Sequence, residues 1–242
     1  MRRIARRTKV ALVAIATLAL LTVLAIVLWK NVFVVANVIV EGDISIEASE
    51  VIRAAQIELG TSIQSVEKDR VRKNVNSTGI LALEDVEIQY PNTVVLFVRE
   101  RTRDAMVLNG GRLVVMDSDG YVVETSSVVP DNGCVYITDL ECGSYEIGQR
   151  ISAPEEKLEA MKIVLDAVRA QNAGVYVSEL SVKDLLNLQI TTRTGIRVQL
   201  GDVSDMEGKI LWMRSAVADL ESRGQTSGTL DVSSGTKADY RP

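Results

Sequence analysis

The segment from Val10 to Trp29 constrains this chain more than any other feature, because it holds twenty consecutive residues without a charge. At about 1.5 Å of rise per residue, twenty helical residues reach about 30 Å, the thickness of a bilayer's hydrocarbon core. A cleaved signal peptide is the alternative, but its apolar region is normally only about 7–15 residues long. We therefore predict an uncleaved transmembrane helix at residues 10–29.

The charges on either side of this segment predict its orientation. The preceding residues 1–9 form a basic tip that carries Arg2, Arg3, Arg6, Arg7 and Lys9. After the segment, Lys30 is the only charged residue before Glu41. Because basic flanks are retained in the cytoplasm, we expect a single-pass cell membrane protein with a cytoplasmic N-terminus and an extracytoplasmic C-terminus.

The composition argues against several classes of function. The chain contains no histidine, which removes the commonest general base and the commonest zinc ligand. It has 27 Lys and Arg residues, five of them in the tip, against 32 Asp and Glu residues, so the remainder is acidic and poorly suited to nucleic acid. The sequence also lacks a glycine-rich phosphate loop. We predict no enzymatic activity, no catalytic residue, and no cofactor, metal or nucleic acid.

The two cysteines, Cys134 and Cys142, leave two interpretations open. Outside the cytoplasm they could form a disulfide that closes a short loop. They could equally remain two small buried or half-buried thiols.

The residues after the apolar segment predict a β-α-α-β-β unit. An apolar, β-branched run ends at Gly42, and the later alternation of apolar and polar residues is typical of a half-buried strand. Pro91-Asn92 suits the middle of a turn, since proline presets its φ angle. The predicted elements are helices at Ser45–Ala55 and Glu67–Ser77, and strands at Val86–Tyr90 and Thr93–Glu100.

The motifs within this unit resemble a known domain. They are Val38-x-Val40-x-Gly42 and the run Val86-x-Ile88-x-Tyr90-Pro91-Asn92-Thr93-Val94-x-Leu96-x-Val98-x-Glu100-Arg101. Both resemble the POTRA domain of the FtsQ/DivIB family of bacterial cell division proteins. On this resemblance we assign residues 32–101 to a POTRA domain.

The resemblance continues through the rest of the chain. Asp117-Ser118-Asp119-Gly120 lies between apolar runs and predicts a hairpin that is similar to one in the family. Two amphipathic helices are expected at Pro154–Ala170 and Asp205–Ser222, with strands at Val175–Val182, Leu188–Thr192, Ile196–Leu200 and Thr229–Val232. We therefore expect an α+β protein in which a mixed β-sheet domain with helices (102–232) and a polar tail (233–242) follow the POTRA domain.

The resemblance also implies a function. Family members are non-enzymatic divisome scaffolds that recruit and link division proteins at the septum. Their partners are FtsB/DivIC-like and FtsL-like membrane proteins, and other divisome membrane proteins are further candidates. Because an edge strand offers unpaired N–H and C=O groups to an extended partner, the last strand is the first candidate contact. The candidate partner-binding residues are Thr229, Leu230, Asp231, Val232, Ser233 and Tyr240.

Other interpretations of the same residues remain open at this point. Leu230 and Val232 could simply close the sheet, with a disordered tail after them. The whole protein could be another POTRA-containing envelope-assembly or export factor, or, with less support, a membrane-anchored cell-wall enzyme.

Overall fold

The computed structural model describes residues 15–24, 26–27, 29, 31–129 and 133–242. The predicted basic tip and residues 10–14, 25 and 28 of the predicted transmembrane helix lie outside these ranges. Residues 15–24, 26–27, 29 and 31–32 are helical. Within the described residues, no helix is both long enough and apolar enough to cross a membrane.

The chain divides into two compact units, one formed by Met1–Val75 with Leu83–Arg99 and the other by Asn76–Ala82 with Glu100–Pro242. The elements from residue 37 to residue 100 are β1 (Asn37–Glu41), α1 (Ala48–Ala55), a 3-10 turn (Ile63–Ser65), α2 (Lys68–Asn76), β2 (Leu81–Gln89) and β3 (Thr93–Glu100). The three strands form a sheet of order β1-β3-β2, in which β1 runs parallel to β3. The predicted β-α-α-β-β order is confirmed.

Each of the two short helices buries one face, which is formed by apolar residues four positions apart. Val51 and Ala55 of α1, and Val71 and Val75 of α2, are buried. Helix α1 begins at Ala48, three residues later than expected from Ser45, because Glu47 has an extended backbone and takes the N-cap position.

The second unit is built on a nine-stranded sheet with two long helices. Its elements are β4 (Ala105–Asn109), β5 (Arg112–Met116), β6 (Val122–Ser126), β7 (Val135–Thr138), α3 (Glu155–Ala170), β8 (Val177–Ser181), β9 (Leu188–Thr192), β10 (Arg197–Gly201), α4 (Met206–Ser222), β11 (Thr229–Asp231) and β12 (Asp239–Arg241). The strand order is β12-β11-β10-β9-β8-β7-β4-β5-β6. This arrangement confirms the predicted α+β class with a mixed sheet and helices.

The main core of this unit lies between the sheet and the two long helices. Met161 of α3 and Ile210 of α4 are buried in one cluster with Ile190 and Val198 of the sheet. A smaller cluster on the other face of the sheet contains Met106, Val115 and Cys134.

The two cysteines lie on opposite faces of the sheet and are not joined by a disulfide. The Cys134 thiol donates to the Arg103 carbonyl oxygen at 3.2 Å, whereas Cys142 packs against the main core. Of the two interpretations left open by the sequence, the structure therefore shows two thiols.

A buried ion pair joins two of the sequence motifs within the second unit. Arg101 Nη1 lies 2.6 Å from Asp117 Oδ2, and its Nε donates to the Leu81 carbonyl oxygen at 3.3 Å. The guanidinium carbon also lies 4.1 Å from the centre of the Tyr121 ring. The other carboxylate oxygen of Asp117 accepts the Tyr121 backbone N–H at 2.8 Å, so both ends of the pair are satisfied.

Candidate partner-binding edge of the large sheet

The edge of the large sheet is not where the sequence placed it. Strand β11 pairs in parallel with β10 and antiparallel with β12, so Thr229–Asp231 is an interior strand. Among the described residues, β12 is the terminal strand at this end of the sheet. The prediction that Thr229–Val232 forms the edge was therefore wrong, because residues 239–241 of the expected tail fold back as a further strand.

The return of the tail depends on two glycines. Gly235 has φ +70 and donates its N–H to the Val232 carbonyl oxygen at 3.0 Å, which reverses the chain after β11. Gly228 has φ +114, and a Cβ there would lie 2.5 Å from the Arg241 carbonyl oxygen. Strand β12 can therefore approach β11 closely only with glycine at 228.

Two of the candidate residues belong to the core. Leu230 is 1% exposed and Val232 is fully buried. Leu230 lies opposite Val198 on β10 and Tyr240 on β12, on the face covered by the helices. Neither side chain is accessible to a partner in the folded protein.

The polar candidates close the turn between the last two strands. Ser233 donates both its backbone N–H, at 3.0 Å, and its hydroxyl, at 2.7 Å, to Asp231 Oδ1. These hydrogen bonds, led by that of the hydroxyl, lower the pKa of Asp231. The Asp231 carboxylate next to the edge strand β12 therefore stays negatively charged to a lower pH than an ordinary aspartate.

Tyr240 fastens β12 to the sheet. Its hydroxyl donates to the Ser227 carbonyl oxygen at 2.6 Å and lies 3.4 Å from Gln225 Oε1. Its ring is half-buried against the main core. Tyr240 thus holds the strand in place, and its backbone belongs to the outer edge.

Two rows of charge cross the open face of the sheet beside this edge. In one row, Arg241 of β12 lies opposite Thr229, which in turn lies opposite Arg197 of β10. In the row two residues along, Asp239 lies opposite Asp231. Because directly opposed residues share a face of a sheet, the edge presents a basic row and an acidic row about 7 Å apart.

Lys237 and Asp239 form an exposed ion pair of 2.7 Å at the start of β12. The hydrogen bond to Asp239 raises the pKa of Lys237. The sequence interpretation missed Arg197, Lys237, Asp239 and Arg241. The alternation of Ala238 and Tyr240 after a Ser-Gly turn was the available signal for a short strand.

The second unit offers an edge strand that a partner strand could pair with, and this feature is clearer than any catalytic or metal-binding site. In the ranges that the structure describes, no three Cys, Asp or Glu side chains are grouped in a way that could hold a metal ion. The feature that stands out is a short terminal strand with a defined charge pattern.

Comparisons with known proteins agree with the motifs. Residues 33–101 match the family model described as "POTRA domain, FtsQ-type". The protein named "Cell division protein DivIB" of Clostridium tetani is 21% identical over 185 residues, which cover 76% of this chain and 69% of that relative.

A solved extracytoplasmic domain of Geobacillus stearothermophilus DivIB, described as its trans isomer, is also similar to part of the chain. It is 14% identical with a TM-score of 0.33, covering 51% of this chain and 97% of that domain, a likeness too low to support an argument. The FtsQ-type match to residues 33–101, the relative that spans three quarters of the chain and the motifs that end at Glu100-Arg101 lead to one conclusion: the resemblance of this chain to the FtsQ/DivIB family is confirmed.

Proposed function

We propose that this protein is a non-enzymatic scaffold of the bacterial division machinery. Its resemblance to the FtsQ/DivIB family and the name of its Clostridium tetani relative support a division role. In this proposal, residues 10–29 span the cell membrane with the N-terminus in the cytoplasm, and the two folded units act outside it at the septum. The partners are FtsB/DivIC-like and FtsL-like membrane proteins.

The terminal position of β12 is the observation that carries the proposal. An edge strand exposes backbone N–H and C=O groups along one side, and an extended partner segment can complete them by adding a strand. Strand β12 occupies this position among the described residues, and Tyr240 holds it in place through the Ser227 carbonyl oxygen. We propose that a partner strand adds to Asp239–Arg241.

The two charged rows define what that partner strand should carry. A partner residue opposite Arg241 would be acidic, and one opposite Asp239 would be basic. Opposite charges at facing positions contribute roughly 0.2–1 kcal/mol, and like charges at those positions are destabilising. The charge pattern therefore selects both the register and the partner.

A charge-reversal experiment tests this arrangement. We expect Arg241→Glu to weaken binding to the purified FtsB/FtsL-like complex severalfold, and a reversed charge on the facing partner residue to restore it. Arg112→Glu is the matched control, because Arg112 is exposed on β5, near the opposite end of the sheet. Thermal unfolding followed by circular dichroism would show that both variants remain folded.

Two results would contradict the proposal. Unchanged binding by folded Arg241→Glu and Asp239→Arg variants would exclude β12 as the contact. A fluorescently labelled protein that stays uniformly distributed around the membrane of dividing cells would exclude the division scaffold itself and favour another envelope-assembly role.

A further inference from the structure

Three aromatic side chains meet where the N-terminal helical segment enters the first unit. The Trp29 and Phe33 ring centres lie 4.3 Å apart, and the Phe33 and Tyr90 ring centres lie 6.0 Å apart in an edge-on arrangement. Trp29 is 55% exposed and Tyr90 is 61% exposed. These rings pack on each other while Trp29 and Tyr90 remain mostly exposed, so they form an apolar patch on the surface. The packing of the core does not explain this patch.

Backbone hydrogen bonds fix this cluster to the first unit. The Phe33 carbonyl accepts from Ile63 N–H at 3.0 Å, and the Ala36 N–H donates to the Asn92 carbonyl at 2.9 Å. Between them, Val35 donates to Thr61 at 2.8 Å and its side chain is fully buried. The turn at Tyr90–Asn92, here called the Tyr90 turn, therefore has a defined position beside Phe33.

Lys30 is the only charged residue from Trp29 to Val40. Residues 31–40 and 88–98 contain no Asp, Glu, Lys or Arg. Val32, the residue before Phe33, adds an apolar side chain that is 43% exposed. Moving this surface from water into a less polar medium therefore takes no charged group of these two segments out of water. The desolvation of charged groups is the main cost that would oppose such a transfer.

We propose that the Tyr90 turn docks on the lipid bilayer, with the rings of Trp29, Phe33 and Tyr90 in its headgroup interface. This inference rests on the proposed membrane anchoring, because Trp29 ends the apolar run that would span the bilayer. Trp and Tyr favour this interface, since each has an apolar ring and a polar group that can stay hydrated. The turn then provides a second contact with the membrane, beside the helix, and sets the orientation of the first unit on the membrane.

Quenching by brominated lipids tests the proposal on the full chain in phosphatidylcholine vesicles. Trp212→Phe leaves Trp29 as the single tryptophan, and Trp29→Phe/Trp212→Phe/Tyr90→Trp moves the reporter to the turn. The control carries Asp43→Trp in the same background, because Asp43 is exposed and follows β1 at its far end, about 20 Å along the sheet. We expect shallow brominated lipids to reduce the emission of the reporters at 29 and 90 and to leave the reporter at 43 unchanged.

The outcomes separate this inference from the proposed anchoring. Quenching at 29 with none at 90 overturns the docking of the turn and leaves the anchor standing, whereas no quenching at 29 contradicts the anchor as well. Equal quenching at 90 and 43 also overturns the inference, because the sheet would then have no fixed orientation. If Tyr90→Trp fails to fold, Gln89→Trp on the exposed neighbouring residue provides the second reporter.

Discussion

Arg101 donates from Nη1 to Asp117 Oδ2 at 2.6 Å, and both side chains are only 2% exposed. This pair connects the Glu-Arg end of one family motif with the Asp of the Asp-x-x-Gly hairpin. The two residues are sixteen positions apart in the sequence. The Glu-Arg motif and the Asp-x-x-Gly hairpin, which both resemble the FtsQ/DivIB family, therefore share one buried contact.

Removal of one partner of this pair should destabilise the protein strongly. We expect Asp117→Ala to lower the free energy of unfolding by about 3–5 kcal/mol, because it leaves the Arg101 charge buried without its counterion. Glu155→Ala breaks the exposed pair with Arg150, whose side chains are 37% and 71% exposed, and should cost about 0–1 kcal/mol. Urea unfolding measures both, and equal losses would contradict the buried role of Asp117.

The interior position of β11 predicts different effects at neighbouring residues. Leu230→Ala should lower the free energy of unfolding by about 2–5 kcal/mol, because its side chain is buried in the main core. Thr229→Ala, on the open face, should change it by about 0.5 kcal/mol or less. Leu230→Lys should not fold. A folded Leu230→Lys protein that had lost only partner binding would return β11 to the edge of the sheet.

The lowered pKa of Asp202 leads us to expect a loss of folding stability in acid. Hydrogen bonds from the Ser204 hydroxyl and from Lys209 lower the pKa of Asp202 to about 2. Because this pKa is below the unfolded value of about 3.9, the stabilisation is present above that value and is lost as pH falls through about 2.

Comparison of wild type with Asp202→Asn checks the acid prediction. We expect the difference in their urea midpoints to shrink as pH falls from about 4 to about 2. Lys209 is the buried partner, 2% exposed, so Lys209→Met should reduce the same pH dependence while preserving the packing of α4. A constant difference across this range would contradict the assignment.

The cysteines should react as two thiols of unequal accessibility. Cys134 is 4% exposed, and burial raises the pKa of the Cys142 thiol. We expect slow modification of Cys142 by a disulfide reagent in the native protein, and modification of Cys134 only after unfolding. The unfolded protein should titrate two thiols with or without reductant, and a count that rises only with reductant would reveal a disulfide.

Local patterns in the sequence were sufficient for the elements whose residues interact with close neighbours. The alternation of Val86–Tyr90, the turn at Pro91-Asn92 and the apolar run after it predicted the strand that returns at Thr93–Glu100, and the apolar spacing of α3 and α4 predicted both long helices. These signals are strong because burial on one face imposes a period of 2 or 3.6 on the chain.

The tertiary structure alone decided where the sheet ends. The alternation of Ala238 and Tyr240 is only a weak signal for the three-residue strand Asp239–Arg241. The strand forms because β11 offers an unpaired edge and the Ser227 carbonyl oxygen accepts the Tyr240 hydroxyl hydrogen. The partner of Arg101 was likewise invisible, since its Asp lies on a separate hairpin. The sequence by itself determined the order of the elements up to β11 and the resemblance to the FtsQ/DivIB family, because both depend on local periodicity and motifs. The edge and the buried pair depend on contacts between distant residues, which a local pattern does not specify.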